Sequence, residues 1–334
     1  MAWDNYNKNK KLTKKQKEKL AKKGMKAVFG KNIFGVTLLV LLLCVAFFLL
    51  YQQCEPLRDF VDDLGIFTTT TTTNSVPPID PEGDEMAIHY IDVGQGDATL
   101  LQTPAGNVLI DCGSKDYGDD VVEYLKAQGV ETLEYAIFTH PHEDHMGCAA
   151  YVLSNIEVKN VIMNDRPSTT NYFEQALDVI EQKNINTILA VPGDIYTVGA
   201  LQLRILGPYS EKFSSQDTNN SSVIIHATYG NRAFLFTGDA EELGEEELLE
   251  HHGNELKCDI FSAGHHGSRT SNSLALLQAA SPEYVVISVG DGNSYGHPHE
   301  EALDVFTCVG TTVLRTDKLG SIVFVTDGEA LTRK

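Results

Sequence analysis

Three histidines and one aspartate lie within six residues after a short apolar run, and this cluster constrains the fold more than any other feature. The run FTHPHEDHMG places His140, His142, Asp144 and His145 at the end of a predicted strand, 135–139. A strand that leaves its sheet into a tight loop can aim alternate side chains at one point. His140 and His142 can then share one metal ion, while Asp144 and His145 turn towards a second. Imidazole and carboxylate groups suit divalent ions that activate water, so we predict a metal centre at this strand end.

The N-terminal part of the chain differs in composition from the rest. Residues 1–31 carry eleven lysines and two acids, a net charge of +9. Because the net charge of the whole chain is −20, residues 32–334 carry a net charge of −29. Residues 33–51 contain no charged side chain. A helix of this length spans about 28 Å, close to the ~30 Å hydrocarbon core of a bilayer. A buried helix of a soluble domain is the alternative, but such a helix rarely lacks a polar stripe.

The lysines that precede the apolar run predict its orientation. A lysine-rich flank stays in the cytoplasm, so the C-terminal part should lie outside the cell membrane. A cleaved signal peptide is disfavoured because the run exceeds a usual signal core and no small-residue cleavage site follows it. The predicted organisation is a basic cytoplasmic tail (1–32), a transmembrane signal anchor (33–51), a Thr/Pro-rich linker (52–85) and an extracellular domain (86–334).

From residue 86 onwards, short apolar runs separated by turn residues alternate with helical periodicity, which predicts one mixed α/β domain of about 250 residues. The predicted strands are 86–92, 98–103, 107–111, 135–139, 158–163, 201–206, 222–229, 233–237, 259–262, 284–289 and 322–326. The predicted helices are 119–128, 171–183, 241–252, 271–280 and 300–308. Four cysteines of this region lack CxxC spacing and allow three full pairings, among which the sequence does not choose: Cys112, Cys148, Cys258 and Cys308.

Taken with seven further blocks, the histidine run resembles the metallo-β-lactamase superfamily, whose first metal motif has this form. The nearest branch is the extracellular hydrolase-like domain of ComEC-type competence proteins, and the resemblance covers residues 86 to about 328. The other blocks are IDVGQGDATLL (91–101), VLIDCG (108–113), NNSSVII (219–225), FLFTGD (234–239), AGHHGSRTS (263–271), NSYGHP (293–298) and RTDKLGSI (315–322). The resemblance implies a four-layer αββα sandwich with its site along one edge.

The resemblance also implies roles for single residues. Asp239, at the end of a strand, would bridge both ions, and Asp144 and Asp239 would be the carboxylates on which catalysis depends. His265 would complete the second ion's ligands, with His266 contacting a carboxylate or the substrate. Asp92 would orient a metal-binding histidine. His297 could reach the same edge as a general acid, although a helix-capping loop is an equal alternative for its segment.

One departure from the superfamily pattern concerns the loop 216–222. The superfamily usually supplies a further histidine to the first ion here, but this loop reads QDTNNSS, with Asn219 and Asn220 as the nearest donors. Oxygen donors in place of an imidazole favour harder ions, so Mn²⁺ is expected to support more activity than Zn²⁺. The predicted cofactors are two divalent metal ions, Mn²⁺ or Zn²⁺.

The expected reaction is metal-dependent hydrolysis of a phosphodiester, in which two ions would activate water and offset charge on phosphorus. The residues expected to contact substrate are Gln95, Asp97, Ser268, Arg269, Ser271 and Asn293. Plain helix capping is an equal alternative for Ser268 and Ser271. The acidic domain should repel duplex DNA, so single-stranded nucleic acid is the candidate polymer substrate. The membrane is the other expected partner, and no protein partner is indicated. A lactone, a thioester or a cell-wall phosphoester remains an alternative substrate, and a non-catalytic metal-containing binding module remains an alternative function.

Overall fold

Two β-sheets that pack face to face form the centre of the fold. The computed structural model describes residues 77–79, 83–209, 213–214 and 217–334, and fifteen strands lie within them. The strands of the first sheet are β1 (Met86–Tyr90), β2 (Thr99–Thr103), β3 (Gly106–Ile110), β4 (Thr132–Phe138), β5 (Glu157–Met163), β6 (Asn186–Leu189), β14 (Ile322–Thr326) and β15 (Leu331–Arg333). The strands of the second sheet are β7 (Ile195–Val198), β8 (Leu201–Gly207), β9 (Ile224–Tyr229), β10 (Arg232–Phe236), β11 (Ile260–Ser262), β12 (Tyr284–Ile287) and β13 (Thr312–Arg315).

Each sheet has an antiparallel half and a parallel half. The first sheet has the order β15-β14-β1-β2-β3-β4-β5-β6, and its pairs are parallel from β3 to β6. The second sheet has the order β13-β12-β11-β10-β9-β8-β7, and its pairs are parallel from β10 to β13. Parallel strands end at the same edge of a sheet. The loops after β3 and β4, and those after β10 and β11, are therefore neighbours within their own sheets.

The strand sequences explain why a layer of helices covers each sheet. In β1, Met86, Ile88 and Tyr90 belong to the apolar cluster shared by both sheets, whereas His89 points away from it to contact Tyr124. This alternation follows the two-residue period of a strand. Outward-facing apolar residues of the first sheet pack against one group of helices, and those of the second sheet pack against another.

The helices on the two outer faces complete a four-layer αββα sandwich, as the sequence predicts. The helices are α1 (Gly118–Ala127), α2 (Glu143–Met146), α3 (Ala149–Asn155), α4 (Asn171–Lys183), α5 (Glu242–His252), α6 (Leu274–Ala280), α7 (Glu300–Val309) and α8 (Thr316–Leu319). Helices α1, α3 and α4 cover the first sheet, and α5, α6 and α7 cover the second. Predicted helix 171–183 coincides with α4, whose C-cap Asn184 has φ 53°.

Three predictions from the N-terminal region fall largely or wholly outside the described residues. The basic tail and the apolar run 33–51 lie entirely outside them, as does most of the linker. Among the residues that the structure describes, no helix is long and apolar enough to span a membrane. The four cysteines of the sandwich, whose pairing the sequence leaves open, are all free thiols.

The buried side chain of His89 predicts an effect of pH on stability. Its Nδ1 lies 3.0 Å from the Tyr124 hydroxyl oxygen, and burial lowers its pKa from 6.5 to about 4. Because the unfolded chain binds this proton more readily, the free energy of unfolding should fall as pH drops from about 6.5 through about 4. The full loss from one such residue is about 3 kcal/mol.

We expect His89→Gln to show a flatter dependence of unfolding free energy on pH than the wild type. Urea unfolding at several pH values between 8 and 4 measures this difference. Tyr124→Phe is the control, because it removes the contact but keeps the histidine that titrates. Parallel curves for the wild type and His89→Gln would show that His89 is not the source of the acid sensitivity.

Candidate metal centre

Asp239 lies at the centre of a buried group of histidines. It follows β10 by three residues, and its two carboxylate oxygens face different pairs of rings. Oδ1 lies 3.0 Å from His145 Nε2 and 3.8 Å from His266 Nε2. Oδ2 lies 3.5 Å from His140 Nε2 and 3.6 Å from His265 Nε2. One carboxylate thus joins the loops after β4 and β11 across the two sheets.

His140, His142 and Asp239 form the first group of potential ligands, with one donor atom from each lying within 4.8 Å of the others. His140 Nε2 and His142 Nδ1 are 3.0 Å apart. The Thr218 hydroxyl oxygen lies 2.6 Å from His142 Nε2, in the loop where the sequence has no histidine. Thr218 was not predicted as a site residue, because a lone threonine in a polar loop carries no signal.

Asp97, His145, Asp239 and His266 form the second group. Asp144 lies beside it, with Oδ2 3.2 Å from His266 Nε2. His266 is 1% exposed, whereas the side chain of His265 is 22% exposed. The structure therefore differs from the sequence-based choice between these two: it brings His266 into the second group, and His265 approaches the other oxygen of Asp239.

The backbone of the turn after β11 explains why neighbouring histidines face different oxygens. His265 and His266 both have positive φ, 50° and 54°, a region that non-glycine residues adopt only when the surroundings enforce it. Asn272 holds the turn, since its Oδ1 accepts from Gly264 N at 2.9 Å and its Nδ2 donates to Gly264 O at 2.9 Å. Buried Glu245 on α5 accepts from the backbone N–H of Asn272.

Asp111 orients His145, a role that the sequence analysis assigned to Asp92. Asp111 directly follows β3, and its Oδ2 accepts from His145 Nδ1 at 2.8 Å and from the Thr139 hydroxyl at 2.7 Å. Asp92 Oδ1 accepts from Gly94 N at 3.1 Å, within its own loop, and its contact with a histidine stays a prediction. The strand-end motif VLIDCG was the signal that identifies Asp111.

Asp97 lies beside His266 and belongs to the second group of potential ligands. Its Oδ1 lies 3.5 Å from His266 Nδ1, which also lies 3.0 Å from Ser288 O. With Nδ1 engaged in this way, Nε2 is left for the Asp144 and Asp239 side. Asp97 was predicted to contact substrate; the structure places it beside His266, within the second group.

The electrostatics of the buried cluster favour a bound cation. Burial alone would raise the pKa of Asp239, but His145, His266 and His140 hold it well below its ordinary value. Burial alone would lower the pKa of His145, but Asp239 and Asp111 raise it well above the usual range. The carboxylates thus stabilise positive charge within the cluster. A divalent ion would supply that charge at a single point, whereas protonation would spread it over the imidazole rings.

Unpartnered atoms show that the residues fit a metal ion. Within the described part of the chain, Asp97 Oδ1, His145 Nε2 and Asp239 Oδ1 are buried without a hydrogen bond. His145 Nε2 and Asp239 Oδ1 are close, but their geometry is not that of a hydrogen bond. Buried polar atoms without partners are costly, and nitrogen and carboxylate donors are those that divalent transition metals bind.

The two asparagines predicted near the first ion have different environments. Asn220 Oδ1 accepts from Glu241 N at 3.0 Å and from Gly244 N at 2.8 Å, so Asn220 holds the start of α5. Asn219 donates to Glu241 Oε1 at 3.3 Å. Its Oδ1 is buried and has no partner among the described residues, which keeps Asn219 as the available oxygen donor of this loop.

The residues predicted to contact substrate lie in the loops after β1, β11 and β12. Gln95 Oε1 accepts from Gly290 N at 3.3 Å, and Asn293 braces its own loop. Ser268 and Ser271 are buried in the histidine turn. Arg269 is exposed, and its guanidinium lies 3.3 Å from Glu301 Oε1.

His297 lies next to the histidine turn, with its ring centroid 5.5 Å from that of His265. Burial, followed by the charges of His266 and His265, lowers the pKa of His297 to about 4. The predicted role of His297 as a general acid stays a prediction. The Nδ1 atom of His297 is buried without a partner among the described residues.

Comparisons with known proteins identify the family of this chain. A family model for the metallo-beta-lactamase superfamily matches residues 91–291. The chain is 29% identical over 311 residues to ComE operon protein 3 of Bacillus subtilis, and the match covers 87% of this chain and 38% of that protein. It is 30% identical over 288 residues to competence protein ComA of Neisseria gonorrhoeae, covering 86% and 38% respectively. The chain thus spans well under half the length of these relatives.

A solved structure shows the same fold. The metallo-beta-lactamase fold protein YhfI from Bacillus subtilis aligns with a TM-score of 0.50 and 14% sequence identity. The alignment covers 73% of this chain and 100% of that one. At this identity the similarity concerns the arrangement of sheets and helices alone.

Proposed function

The chain belongs to the metallo-β-lactamase superfamily of metal-dependent hydrolases, and we propose that it is a phosphodiesterase with two divalent ions, anchored at the outer face of a cell membrane. The observation that carries the proposal is the position of Asp239, whose two oxygens each face two imidazoles. When bound there, two divalent ions would activate water and stabilise negative charge at phosphorus.

The chain's own residues hold this centre in place. Asp111 keeps His145 oriented through Nδ1, and the backbone oxygen of Ser288 accepts from His266 Nδ1 in the same way. Such outer partners fix the ring nitrogen that remains for the metal. Because the first group contains two histidines and the neighbouring loop supplies hydroxyl and amide oxygens instead of a third, we propose Mn²⁺ over Zn²⁺ as the activating ion.

Two observations support a phosphodiester substrate. Two relatives, competence protein ComA of Neisseria gonorrhoeae and recombination protein 2 of Haemophilus influenzae, are named after processes that involve DNA. Arg269 is adjacent to the histidine turn and is exposed. It is one of few basic residues in the acidic region 32–334. Because residues 32–334 carry a net charge of −29, contact with a polyanion must be local, which favours a flexible single strand over a duplex.

A panel of substrates tests the proposed activity. The full chain, reconstituted separately with Mn²⁺ and Zn²⁺, is assayed with a phosphodiester, a lactone and a thioester. We expect the phosphodiester to be hydrolysed with the highest kcat/KM, and with Mn²⁺ ahead of Zn²⁺. Absence of turnover with every substrate and either ion would instead support a metal-containing binding module.

Replacing Arg269 should affect the hydrolysis of an anionic substrate more than that of a neutral one. Arg269→Ala should reduce kcat/KM for the phosphodiester roughly tenfold through loss of a charge-assisted hydrogen bond. It should change the value for a neutral lactone by less than about twofold, because the lactone offers the guanidinium no anionic oxygen. Arg204→Ala is the matched control, since Arg204 forms a comparable exposed ion pair with Glu255. Equal losses on both substrates would remove this argument for phosphate.

The membrane anchor leads to a prediction of its own. The +9 charge of residues 1–31 before the uncharged run supports an N-terminus inside and residues 52–334 outside. Protease added to intact cells should remove the sandwich domain and leave a small fragment in the membrane. Addition of detergent is the control that shows the fragment itself to be cleavable. Full protection of the chain in intact cells would contradict the orientation.

A further inference from the structure

Tyr295 presents an exposed aromatic ring beside the metal centre. It is 64% exposed, and its ring is stacked on that of His297, with centroids 5.6 Å apart and planes inclined by 23°. The His297 ring is in turn 5.5 Å from the His265 ring, and His265 Nε2 is 3.6 Å from Asp239. A continuous row of rings therefore leads from the solvent to the carboxylate at the centre of the site.

Hydrogen bonds hold the segment that carries Tyr295. Asn293 Oδ1 accepts from Tyr295 N at 3.2 Å and from His297 N at 3.0 Å. Asn293 Nδ2 donates to Gly290 O at 3.0 Å and to His297 O at 2.7 Å. One amide side chain thus fixes the backbone on both sides of the tyrosine, so the ring is presented on a braced loop.

The same loop is attached to the histidine turn. His299 N donates to Gly267 O at 2.9 Å. An added Cβ on Gly267 would lie 2.7 Å from Pro298 Cβ, so the two segments are in close contact. The position of Tyr295 relative to the metal centre is therefore set by packing.

We propose that Tyr295 is a stacking platform for a nucleobase of a single-stranded substrate, whose neighbouring phosphodiester lies at the metal centre. This inference rests on the proposed phosphodiesterase function and adds a residue that selects the substrate. A flat, exposed ring beside a phosphate-directed site is how proteins hold unpaired bases, since every base has a face that stacks. Bases inside a duplex are already stacked on each other, so the platform favours a single strand.

Binding of two oligonucleotides tests the platform. The full chain carries Asp239→Asn in every variant, which prevents turnover, and Mn²⁺ is present throughout. The probes are a fluorescent oligothymidylate of about eight nucleotides, within the usual range of site sizes, and an abasic strand of the same length and charge. Fluorescence anisotropy gives the dissociation constant for Tyr295→Ala, for Tyr295→Phe and for the chain with Tyr295 intact.

We expect Tyr295→Ala to weaken binding of the thymidylate strand by about fivefold or more and to leave binding of the abasic strand within about twofold. Tyr295→Phe should retain the affinity, because the ring remains. Tyr151→Ala is the matched control, since Tyr151 is also exposed but lies on α3. An equal loss of affinity for both strands would indicate contact with the sugar-phosphate chain and would overturn the proposal. The proposal would also be overturned if the thymidylate strand did not bind, or if Tyr295→Ala left its binding unchanged.

A turnover assay separates the failure of this inference from that of the proposed function. The chain without the Asp239 substitution, loaded with Mn²⁺, is assayed on the same two strands. Turnover of the thymidylate strand with a KM raised by Tyr295→Ala and a largely unchanged kcat supports the platform. No turnover of either strand together with a base-dependent binding difference would refute the phosphodiesterase and keep the platform. Turnover that is insensitive to Tyr295→Ala would refute the platform and support the phosphodiesterase.

Discussion

Asp239→Asn is expected to reduce turnover by at least about a thousandfold, equivalent to ~4 kcal/mol of transition-state stabilisation. The physical reason is the position of this carboxylate, which faces His145 and His266 through one oxygen and His140 and His265 through the other. An asparagine has nearly the same shape, but it is neutral and offers one acceptor atom in place of two. Steady-state kinetics with saturating Mn²⁺, together with metal analysis of the purified protein, measures the effect.

The backbone at Asp239 should be preserved in this variant, because its N–H donates to the Ser222 hydroxyl at 3.1 Å independently of the side chain. Circular dichroism should therefore match that of the wild type. Asp178→Asn is the matched control, since Asp178 is an exposed carboxylate on α4. Retention of two tightly held ions and of normal turnover in Asp239→Asn would show that this residue does not join the two groups.

His266→Ala is expected to weaken binding of one of two ions by at least about a hundredfold and to abolish most turnover. His266 is buried, its Nε2 lies between the Asp144 and Asp239 carboxylates, and its Nδ1 faces Asp97. No other described side chain occupies this position. Competition with a coloured chelator gives the affinity of each ion, and metal analysis should show a loss of about one equivalent, since one ligand group is disrupted.

His265→Ala is the informative comparison, and it should have a smaller effect on the second ion. His265 approaches the other oxygen of Asp239 and pairs through Nδ1 with Glu241 at 3.3 Å. Its loss should mainly weaken the ion held by His140 and His142. His251→Ala serves as the control, because it also removes one member of an adjacent histidine pair, on α5. If His265→Ala removes the second ion and His266→Ala spares it, the assignment taken from the structure is wrong and the sequence-based one is right.

Much of the fold follows from local patterns in the sequence. The apolar period of 171–183 predicts α4 at the observed bounds, and the run before His140 predicts β4 and its polar end. Strands β6, β7, β13 and β15 were not predicted. All four lie at sheet edges. Most residues of β6 and β15 and half of those of β7 are exposed. Edge strands bury little side-chain surface, so their apolar pattern is weak.

The sequence by itself determined the types of ligand and the strand ends that carry them. His140, His142, His145 and Asp239 are brought together in the structure. The three histidines were recognisable because their motif follows an apolar strand directly, and Asp239 because its block belongs to the family resemblance. Strand ends can be read locally, since the two-residue period stops where the strand leaves the core. The transmembrane anchor is another local inference; it concerns residues outside the described part of the chain and stays a prediction.

Only the tertiary structure decided which neighbour contacts which. His145 meets Asp111 across 34 residues, His142 meets Thr218 across 76, and His266 meets Asp144 across 122. The choice of His266 over His265 depends on two successive residues with positive φ, a conformation that no local propensity predicts for histidine. Such a turn exists because Asn272 and the packed loop around it enforce it. Contacts of this kind depend on how the two sheets and their loops assemble, and the sequence pattern of one segment carries no information about the distance to another.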